Sequence, residues 1–333
     1  MRYYCSYPPS GDNNPFFKVL EKHLLNNNWQ SKTFQLRTKN LLTNRKQVKI
    51  LWFHWPNSHW RKDNLLLKFI FIFRFFYHLF LASLLGYKLV WSAHNVLPHG
   101  LNNSWLELFL RKLVVRNIDL VIGHAKNTKK MLYCKGIKPK NYVLAIHGHY
   151  EDYYNKSDQD INRKKLGFLE SDIILLINNN GKNNCYASIF IDIFSKNDYD
   201  NLKLLVYGKE VSQSKNIKNI NRFLKNEELS SCIQLSDFVV LPYEEITTSG
   251  TFFLALTFGK PVLAKKIDFF IDHSLPNTSV LYNNFRELVV LLKSLDIGNI
   301  YIDNKNLSIM KDNYNWSDSS IVISEKFNEL IAE

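Results

Sequence analysis

The stretch DFVVLPYEEITTSGTFFLALTFGKPVLAK, residues 237–265, places one helix-length apolar run between two short runs rich in β-branched residues. The flanking runs are typical of buried parallel strands, both faces of which lie inside the protein. The central run begins with TTSGT at 247–251, residue types that favour a helix N-terminus, and stops at GKP, 259–261. The stretch therefore predicts a strand–helix–strand unit, the building block of a doubly wound α/β sheet.

The same alternation occurs along most of the chain. Strands are expected at 48–54, 88–94, 119–124, 142–148, 172–178, 202–208, 237–243 and 260–265, and helices at 103–117, 126–136, 186–196, 226–235, 250–258 and 284–295. A polar stretch without periodicity at 150–165 separates two such series, which indicates an inter-domain linker. The predicted fold is α/β, with two tandem Rossmann-like domains, in a chain of 333 residues.

The chain is basic, with 43 Lys and Arg against 30 Asp and Glu and a formal net charge of +13. Such a balance suits an anionic partner, such as a nucleotide, a phosphorylated substrate, nucleic acid or an acidic membrane surface, although biased genomic composition would also produce it. Cys5, Cys134, Cys185 and Cys232 form no C-x-x-C pair, so neither a zinc site nor a disulfide framework is indicated. The start of the chain lacks an apolar leader, which predicts a cytoplasmic protein.

The small residues at 247–251 are expected at the start of the helix that follows the strand 237–243. There the first backbone N–H groups lack intrahelical partners and the helix dipole is positive, so N–H groups and hydroxyls together can bind a phosphate. An ordinary Ser/Thr cap is the alternative interpretation of the same residues.

A longer pattern favours the phosphate site. FLKNEELSSCIQLSDFVVLPYEEITTSGTFFLALTFGKPVLA, residues 223–264, resembles the donor-site signature of bacterial GT-B glycosyltransferases of the group 1-like, nucleotide-sugar-dependent kind. GYKLVWSAHNVLPHG at 86–100 resembles their segment with an active-site His, and HGHYEDYY at 147–154 resembles the join between their domains. NYNWSDSS at 313–320 resembles the start of their C-terminal helix, which crosses back to the first domain. The resemblance spans nearly the whole chain.

This resemblance implies an acceptor domain at 1–150, a donor domain at 151–315, a C-terminal helix at 316–333 and a cleft between the domains. It implies a metal-independent hexosyltransferase without a cofactor, which moves a sugar from a UDP- or GDP-linked donor to a saccharide or lipid-linked acceptor in surface polysaccharide synthesis, such as capsule or lipopolysaccharide. The donor-binding residues that it implies are Lys182, Gly208, Lys209, Tyr243, Glu245, Thr247, Thr248, Ser249, Gly250 and Thr251.

The catalytic candidates are His94, Glu244 and Asp12. His94 ends a predicted strand at the edge where open α/β sheets bind ligands, either as a hydrogen-bond partner of the donor sugar or as an acid or base, and a structural strand-end role is the alternative. Asp12 is the candidate general base if the reaction inverts the anomeric centre, and an exposed turn is its alternative role. The acceptor-side candidates are Gly11, Asn13, Asn14, His54 and Trp55. His147 and His149 are expected at the hinge.

The sequence also departs from the family pattern. Lys182 stands for the usual Arg after the first strand of the second domain, and Cys185 occupies the usual position of a Lys. Many relatives carry two Glu eight residues apart around the helix start. Here Glu244 and Glu245 come before that start, and Leu254 stands at the position of the second Glu. A non-catalytic, basic nucleotide- or nucleic-acid-binding protein is therefore the alternative function.

Residues 64–88, NLLLKFIFIFRFFYHLFLASLLGYK, are the most apolar stretch. Lys68, Arg74 and His78 interrupt it, so it does not suit a membrane span. Two interpretations remain equally favoured. It is either a crossover helix buried on the sheet, or a helix that lies in the plane of an anionic membrane and makes the protein membrane-peripheral.

Overall fold

The computed structural model describes residues 1–8, 14–97, 105–154, 161–179 and 185–332, with Cys185 described by its backbone alone. The chain forms two compact units, Met1–Gly148 with Asn315–Glu333, and His149–Tyr314. Gly11, Asp12, Asn13 and Lys182, four of the predicted site residues, lie outside the described residues.

The first unit is built on a parallel sheet of six strands in the order β2-β1-β3-β4-β5-β6. The strands are β1 (Arg2–Tyr7), β2 (Trp29–Ser31), β3 (Val48–Phe53), β4 (Lys88–Ala93), β5 (Leu120–Gly123) and β6 (Tyr142–Leu144). The helices are α1 (Pro15–Asn26), α2 (Thr38–Asn44), α3 (Leu65–Leu84), α4 (Trp105–Arg116), α5 (Thr128–Cys134) and, from the C-terminal segment, α12 (Trp316–Ala332). A 3₁₀ helix covers Pro56–His59.

Local signals explain where the helices of this unit begin. Pro15 occupies the first turn of α1, and the Asn14 side chain accepts a hydrogen bond from the Phe16 backbone N at 3.1 Å. Asn64 caps α3 in the same way through the Leu67 backbone N. Helix α12 packs against α1, and Asn27 donates to the Ser320 hydroxyl at 2.9 Å.

The second unit is also built on a parallel six-stranded sheet, with the order β12-β11-β10-β7-β8-β9. The strands are β7 (Ile173–Asn179), β8 (Leu202–Gly208), β9 (Ile217–Ile220), β10 (Phe238–Leu241), β11 (Val262–Lys265) and β12 (Ser279–Tyr282). The helices are α6 (Cys185–Ser195), α7 (Asn226–Leu235), α8 (Gly250–Thr257), α9 (Asp268–His273), α10 (Phe285–Asp296) and α11 (Asn304–Asn313). Both units are thus Rossmann-like, which confirms the predicted fold class.

Helix α3 connects the neighbouring parallel strands β3 and β4 and contributes Phe75, Leu79 and Ala82 to the core of the first unit. By length and composition alone it could cross a membrane. The topology prevents this, because both ends of α3 join strands of one sheet. Most of the helix is nevertheless not buried, so it is not simply a core helix.

Candidate functional site

The carboxyl ends of the second unit's strands form one edge of its sheet, because all six strands are parallel. Helix α8 starts at this edge, after the loop that follows β10. Ligands of open α/β sheets bind at such an edge. The predicted donor residues around Tyr243 and Gly250 therefore lie where the fold favours a ligand site.

The start of α8 contains a polar group that the protein leaves unsatisfied. Ser249 is the N-cap, and its hydroxyl accepts a hydrogen bond from the Phe252 backbone N at 3.2 Å. Thr248 Oγ1 is buried and has no hydrogen-bond partner among the described residues. Buried polar atoms are normally paired, so such an atom marks a place where a ligand or water completes the hydrogen bonding. Beside free N–H groups at a positive helix end, it suits an anionic oxygen.

Tyr243, at the end of β10, contacts the same helix start. Burial raises the pKa of its hydroxyl, and side-chain hydrogen bonds with Ser249 and Thr251 partly offset the rise. Gly250 leaves room beside the Tyr150 hydroxyl, because a Cβ at this position would lie 3.2 Å from that oxygen. Thr247 is buried. These contacts hold the loop and the helix start in one arrangement.

The two carboxylates after β10 differ in their surroundings. Glu244 forms an ion pair with Lys265 at the end of the neighbouring strand β11, with 2.5 Å between Oε1 and Nζ. Glu245 is exposed. Lys265 was not among the residues predicted from the sequence, although its position at the end of a predicted strand was a signal for it.

The ends of β7 and β8 add further polar groups. Asn178 Oδ1 and Asn179 Oδ1 are buried and have no partner within the described part of the chain. Gly208 has a φ of +110°, and a Cβ there would lie 2.6 Å from the Asn179 carbonyl oxygen, so only glycine fits. Lys209 is exposed beside it. Asn178 and Asn179 were not among the residues predicted from the sequence, although they close the apolar run predicted as a strand.

In the first unit, four buried histidines follow four adjacent strands. We call His54, His94, His124 and His147 the histidine cluster; they come after β3, β4, β5 and β6. Their rings surround Phe16 of α1, with centroid distances from 4.7 to 5.6 Å. The His147 ring also packs at 4.7 Å against Trp316 of α12; His147 was expected at the hinge, and it lies close to the boundary between the units, which falls between Gly148 and His149.

Hydrogen bonds fix part of the cluster. His124 Nδ1 lies 2.9 Å from the Ala145 carbonyl oxygen, so Nδ1 carries a proton, and Nε2 faces the Ser92 hydroxyl at 2.9 Å. Trp52 Nε1 donates to the same hydroxyl at 2.9 Å. Ser92 therefore donates to His124 Nε2, and His124 is held as the neutral Nδ1–H tautomer. His54 Nδ1 lies 3.0 Å from His94 Nε2.

The cluster is kept neutral by burial. Desolvation holds the pKa of His94 and of His54 well below the ordinary value, and the neighbouring histidines lower both further. Desolvation also lowers the pKa of His124 to about 4 and that of His147 to about 3. Neutral imidazoles do not repel one another, so the four rings of the histidine cluster can pack together in an apolar environment.

We expect the free energy of unfolding to fall on acidification below pH 6.5. The depressed pKa values mean that unfolding takes up protons in this range, so stability present at neutral pH is lost as pH falls towards the pKa of about 4 at His124. Each such histidine contributes a slope of about 1.4 kcal/mol per pH unit. Urea unfolding at pH 7.0, 6.0 and 5.0, which roughly covers the upper part of this pH range, measures how the free energy of unfolding changes with pH.

The matched variant is His124→Asn, whose amide N–H can still donate to the Ala145 carbonyl. On unfolding, this variant should take up about one proton fewer than the unaltered protein. The slope of its free energy of unfolding against pH should therefore be smaller by about 1.4 kcal/mol per pH unit. Equal slopes would show that His124 does not titrate in this way.

The remaining acceptor-side candidates are placed as follows. Asn14 uses its side-chain oxygen to cap α1. The Trp55 ring stacks on His94 at 4.7 Å and 22°. His54 is 1% exposed, and its ring contacts that of His94. Phe16 and Trp316 were not selected from the sequence, because only the folded unit brings them to the strand ends.

Among the described residues, no group of three or more His, Cys, Asp or Glu side chains is arranged to hold a metal ion.

No family model matches this chain. Two curated proteins similar to it are GDP-mannose:glycolipid 4-β-D-mannosyltransferases of Xanthomonas campestris pv. campestris, at 22% identity over 194 residues and 23% over 198 residues. Each alignment covers 55% of this chain and 51% of the relative, so the chain matches about half the length of these relatives.

Solved structures match over the full chain. Anabaena Alr3699/HepE, in complex with UDP and glucose, has a TM-score of 0.70 at 13% identity and covers 99% of this chain and 100% of its own. Sucrose-phosphate synthase from Thermosynechococcus elongatus has a TM-score of 0.72 at 13% identity, with 100% of both chains covered. At these identities the likeness establishes the fold, which is GT-B. The resemblance to GT-B glycosyltransferases expected from the sequence is confirmed.

Proposed function

We propose that this GT-B protein is a metal-independent hexosyltransferase. It moves a sugar from a nucleotide-diphosphate sugar to a saccharide or lipid-linked saccharide in the synthesis of a surface polysaccharide, such as capsule or lipopolysaccharide. The observation that carries the proposal is the start of α8, where the buried Thr248 hydroxyl has no partner within the described residues and the helix begins after the loop that follows β10.

The chemistry of the donor suits this place. A nucleotide-diphosphate sugar has two phosphates, and negative charge develops on the leaving diphosphate as the bond to the sugar breaks. A helix N-terminus stabilises that charge with donors already in position. Thr247, Thr248, Ser249, Gly250 and Thr251 are proposed to hold the diphosphate, with Lys182 and Lys209 adding positive charge. Tyr243, Glu245 and Gly208 are proposed to line the donor pocket.

His94, Asp12 and Glu244 are proposed to act on the reacting groups. His94 is neutral, so it suits a hydrogen bond to an uncharged sugar hydroxyl or to a departing oxygen. Asp12 is the proposed base for the acceptor hydroxyl if the reaction inverts, and Gly11, Asn13, Asn14 and Trp55 belong to the proposed acceptor side. Glu244 is positioned by Lys265.

Both nucleotides have support in similar proteins. HepE was crystallised with UDP, and the Xanthomonas relatives use GDP-mannose according to their names. Titration calorimetry of the intact protein with UDP, GDP and single-stranded RNA tests the proposal. Saturable binding of one nucleoside diphosphate, with no RNA binding, supports the nucleotide site that a transferase needs, and turnover of the nucleotide sugar then separates a transferase from a non-catalytic nucleotide-binding protein. Binding of RNA without nucleotide binding would favour the alternative, a basic nucleic-acid-binding protein.

We also propose that the first unit lies on an anionic membrane surface at the cytoplasmic side. Large apolar side chains project from α3 and α4 into solvent: Phe73 is 76% exposed, Phe80 66%, Trp105 77% and Phe109 52%. Lys68 on α3 joins the two helices through an ion pair with Glu107 at 3.3 Å. We call this surface the α3–α4 ridge.

Two positively charged side chains lie close to the α3–α4 ridge. Lys62 and Arg74 lie over the Phe71 ring at 4.6 and 5.0 Å, and both cations are exposed. Aromatic rings at the acyl boundary with basic groups at the headgroup level are typical of helices that lie in the plane of a membrane. A protein on such a surface can reach a lipid-linked acceptor.

We expect the protein to float with liposomes that contain anionic lipid, and to bind less strongly, but still measurably, at high salt. Each basic residue near the surface contributes about 1 kcal/mol, a contribution that salt screens, whereas the apolar contact persists. Changing Phe73 and Phe80 together to Ser should weaken flotation at low salt and abolish the flotation that persists at high salt. Phe76 is unsuitable for this test, because it packs against the core and stacks on Trp60.

The matched control is Phe223→Ser, which removes a ring that is 72% exposed in the second unit. This variant should float like the unaltered protein. If the unaltered protein stays in the soluble fraction at every lipid composition and salt concentration, the ridge does not contact membranes. A dimer that dissociates in the Phe73/Phe80 variant would instead assign the ridge to a second copy of the chain.

A further inference from the structure

The contact between His54 and His94 joins two ring nitrogens, His54 Nδ1 and His94 Nε2, 3.0 Å apart. A hydrogen bond between two neutral imidazoles needs one N–H and one lone pair. Two assignments satisfy the contact: either His54 donates from Nδ1, or His94 donates from Nε2. They differ in which nitrogen of His94 is left for a ligand, and in whether that nitrogen donates or accepts.

The other nitrogen of His54 decides between them. His54 Nε2 is buried and has no hydrogen-bond partner among the described residues. If His94 were the donor, neutral His54 would carry its own proton on Nε2, as a buried N–H without an acceptor. Among buried backbone groups, orphaned N–H donors are rarer than incompletely paired carbonyl acceptors, and we apply the same preference to the imidazole. The favoured assignment therefore places the His54 proton on Nδ1 and leaves a bare lone pair on Nε2.

We propose that His54 is a positioning residue, which donates its Nδ1–H to His94 Nε2 and so keeps His94 as the Nδ1–H tautomer. With Nε2 occupied, Nδ1 is the nitrogen of His94 that remains for a ligand. It then presents an N–H, so His94 donates a hydrogen bond to a ligand oxygen and does not act as a general base. This catalytic consequence depends on the proposed glycosyltransferase function, whereas the tautomer does not.

The surroundings hold this geometry. The His94 ring stacks with Trp55, at 4.7 Å, and with His124, at 4.9 Å, and Phe16 lies nearly perpendicular to it at 4.7 Å. His124 is itself fixed by Ala145 and Ser92. A half-turn of the His94 ring would keep the stacking but would break the contact with His54. Burial keeps both histidines of the pair neutral, which the single shared hydrogen bond requires.

Long-range ¹⁵N–¹H correlation spectra of the histidine-labelled intact protein test the proposal, because the two neutral tautomers give different nitrogen shifts. His94, identified by its loss in His94→Gln, should be the Nδ1–H tautomer in the unaltered protein. His54→Asn should keep this tautomer, since the Asn amide N–H₂ can replace Nδ1–H. His54→Phe should release His94 to a mixture of tautomers.

Turnover gives the second readout. His54→Phe should lower kcat by about tenfold, the equivalent of one neutral hydrogen bond, with donor affinity unchanged. His54→Asn should keep most of kcat. His59→Phe, a control in the same unit that has no bond to His94, should leave kcat and the His94 tautomer as they are.

An Nε2–H tautomer of His94 in the unaltered protein would overturn the proposal, and so would an unchanged tautomer in His54→Phe. Because the spectra need no turnover, a protein without transferase activity would refute the proposed function alone and leave the tautomer to be decided by the spectra. If His54→Phe does not fold, the spectra of the unaltered protein and of His54→Asn still decide between the two assignments.

Discussion

Changing Ser249 to Val and Gly250 to Leu is expected to weaken binding of UDP and GDP by more than about 100-fold, the loss of two or more charge-assisted hydrogen bonds. Branched side chains at these positions block the approach of phosphate to the first N–H groups of α8. Titration calorimetry measures the affinity. Loss of the Ser249 cap also costs about 1 kcal/mol of stability, so a small fall in melting temperature accompanies the effect.

A pair of single variants separates binding from folding. Thr248→Val removes a hydroxyl that has no partner within the described residues, so nucleotide affinity should fall about tenfold or more while the melting temperature stays the same or rises. Thr257→Val removes a hydroxyl that binds the Tyr150 backbone N and the Phe253 carbonyl, both at 2.8 Å. It should lower stability and leave affinity intact. Unchanged nucleotide affinity in Thr248→Val and in the double variant would remove the helix start from the donor site.

Changing His94 to Ala is expected to lower kcat by roughly 10- to 100-fold, with little effect on donor affinity. The proposed hydrogen bond goes from His94 Nδ1 to an oxygen of the reacting groups, and it strengthens as charge develops there. Steady-state kinetics with varied donor concentration, together with calorimetry, separates the two quantities.

His59→Ala is the matched control for this second experiment, because His59 is outside the histidine cluster and its ring packs on Phe75 at 4.8 Å. It should change neither kcat nor affinity. Equal losses of turnover and of donor affinity in His94→Ala would assign His94 a structural role.

The order of strands and helices was readable from the sequence because each buried parallel strand is a short apolar run that ends in polar residues. The run at 172–178 became β7 (Ile173–Asn179), and the run at 202–208 became β8 (Leu202–Gly208). The edge strands β2 (Trp29–Ser31), β9 and β12 and the inner strand β1 (Arg2–Tyr7) were not predicted, since short or polar-interrupted runs such as WQS and RYYCSY carry too little apolar pattern.

The environment of the site residues was less predictable. The strand-end positions of His54, His94 and His124 were visible in the sequence, but their closure around Phe16 depends on how α1 packs on the sheet. The packing of His147 on Trp316 was not predicted for a related reason, because Trp316 belongs to the C-terminal helix α12 and only the folded unit brings it to the strand ends. The unpartnered oxygen of Thr248 is likewise a property of the folded loop, which no residue pattern contains.

The most direct test of the proposed function is acceptor-dependent release of nucleoside diphosphate by the intact protein. UDP- and GDP-linked hexoses are incubated with and without a lipid extract that contains saccharide-linked lipids, with chelator present throughout, and the glycolipids are analysed by mass spectrometry. We expect one donor to be consumed only when the extract is present, with one hexose added to a lipid-linked saccharide. If neither donor is consumed and no lipid gains a hexose, although the protein is folded and binds a nucleotide, the protein is not the transferase proposed here.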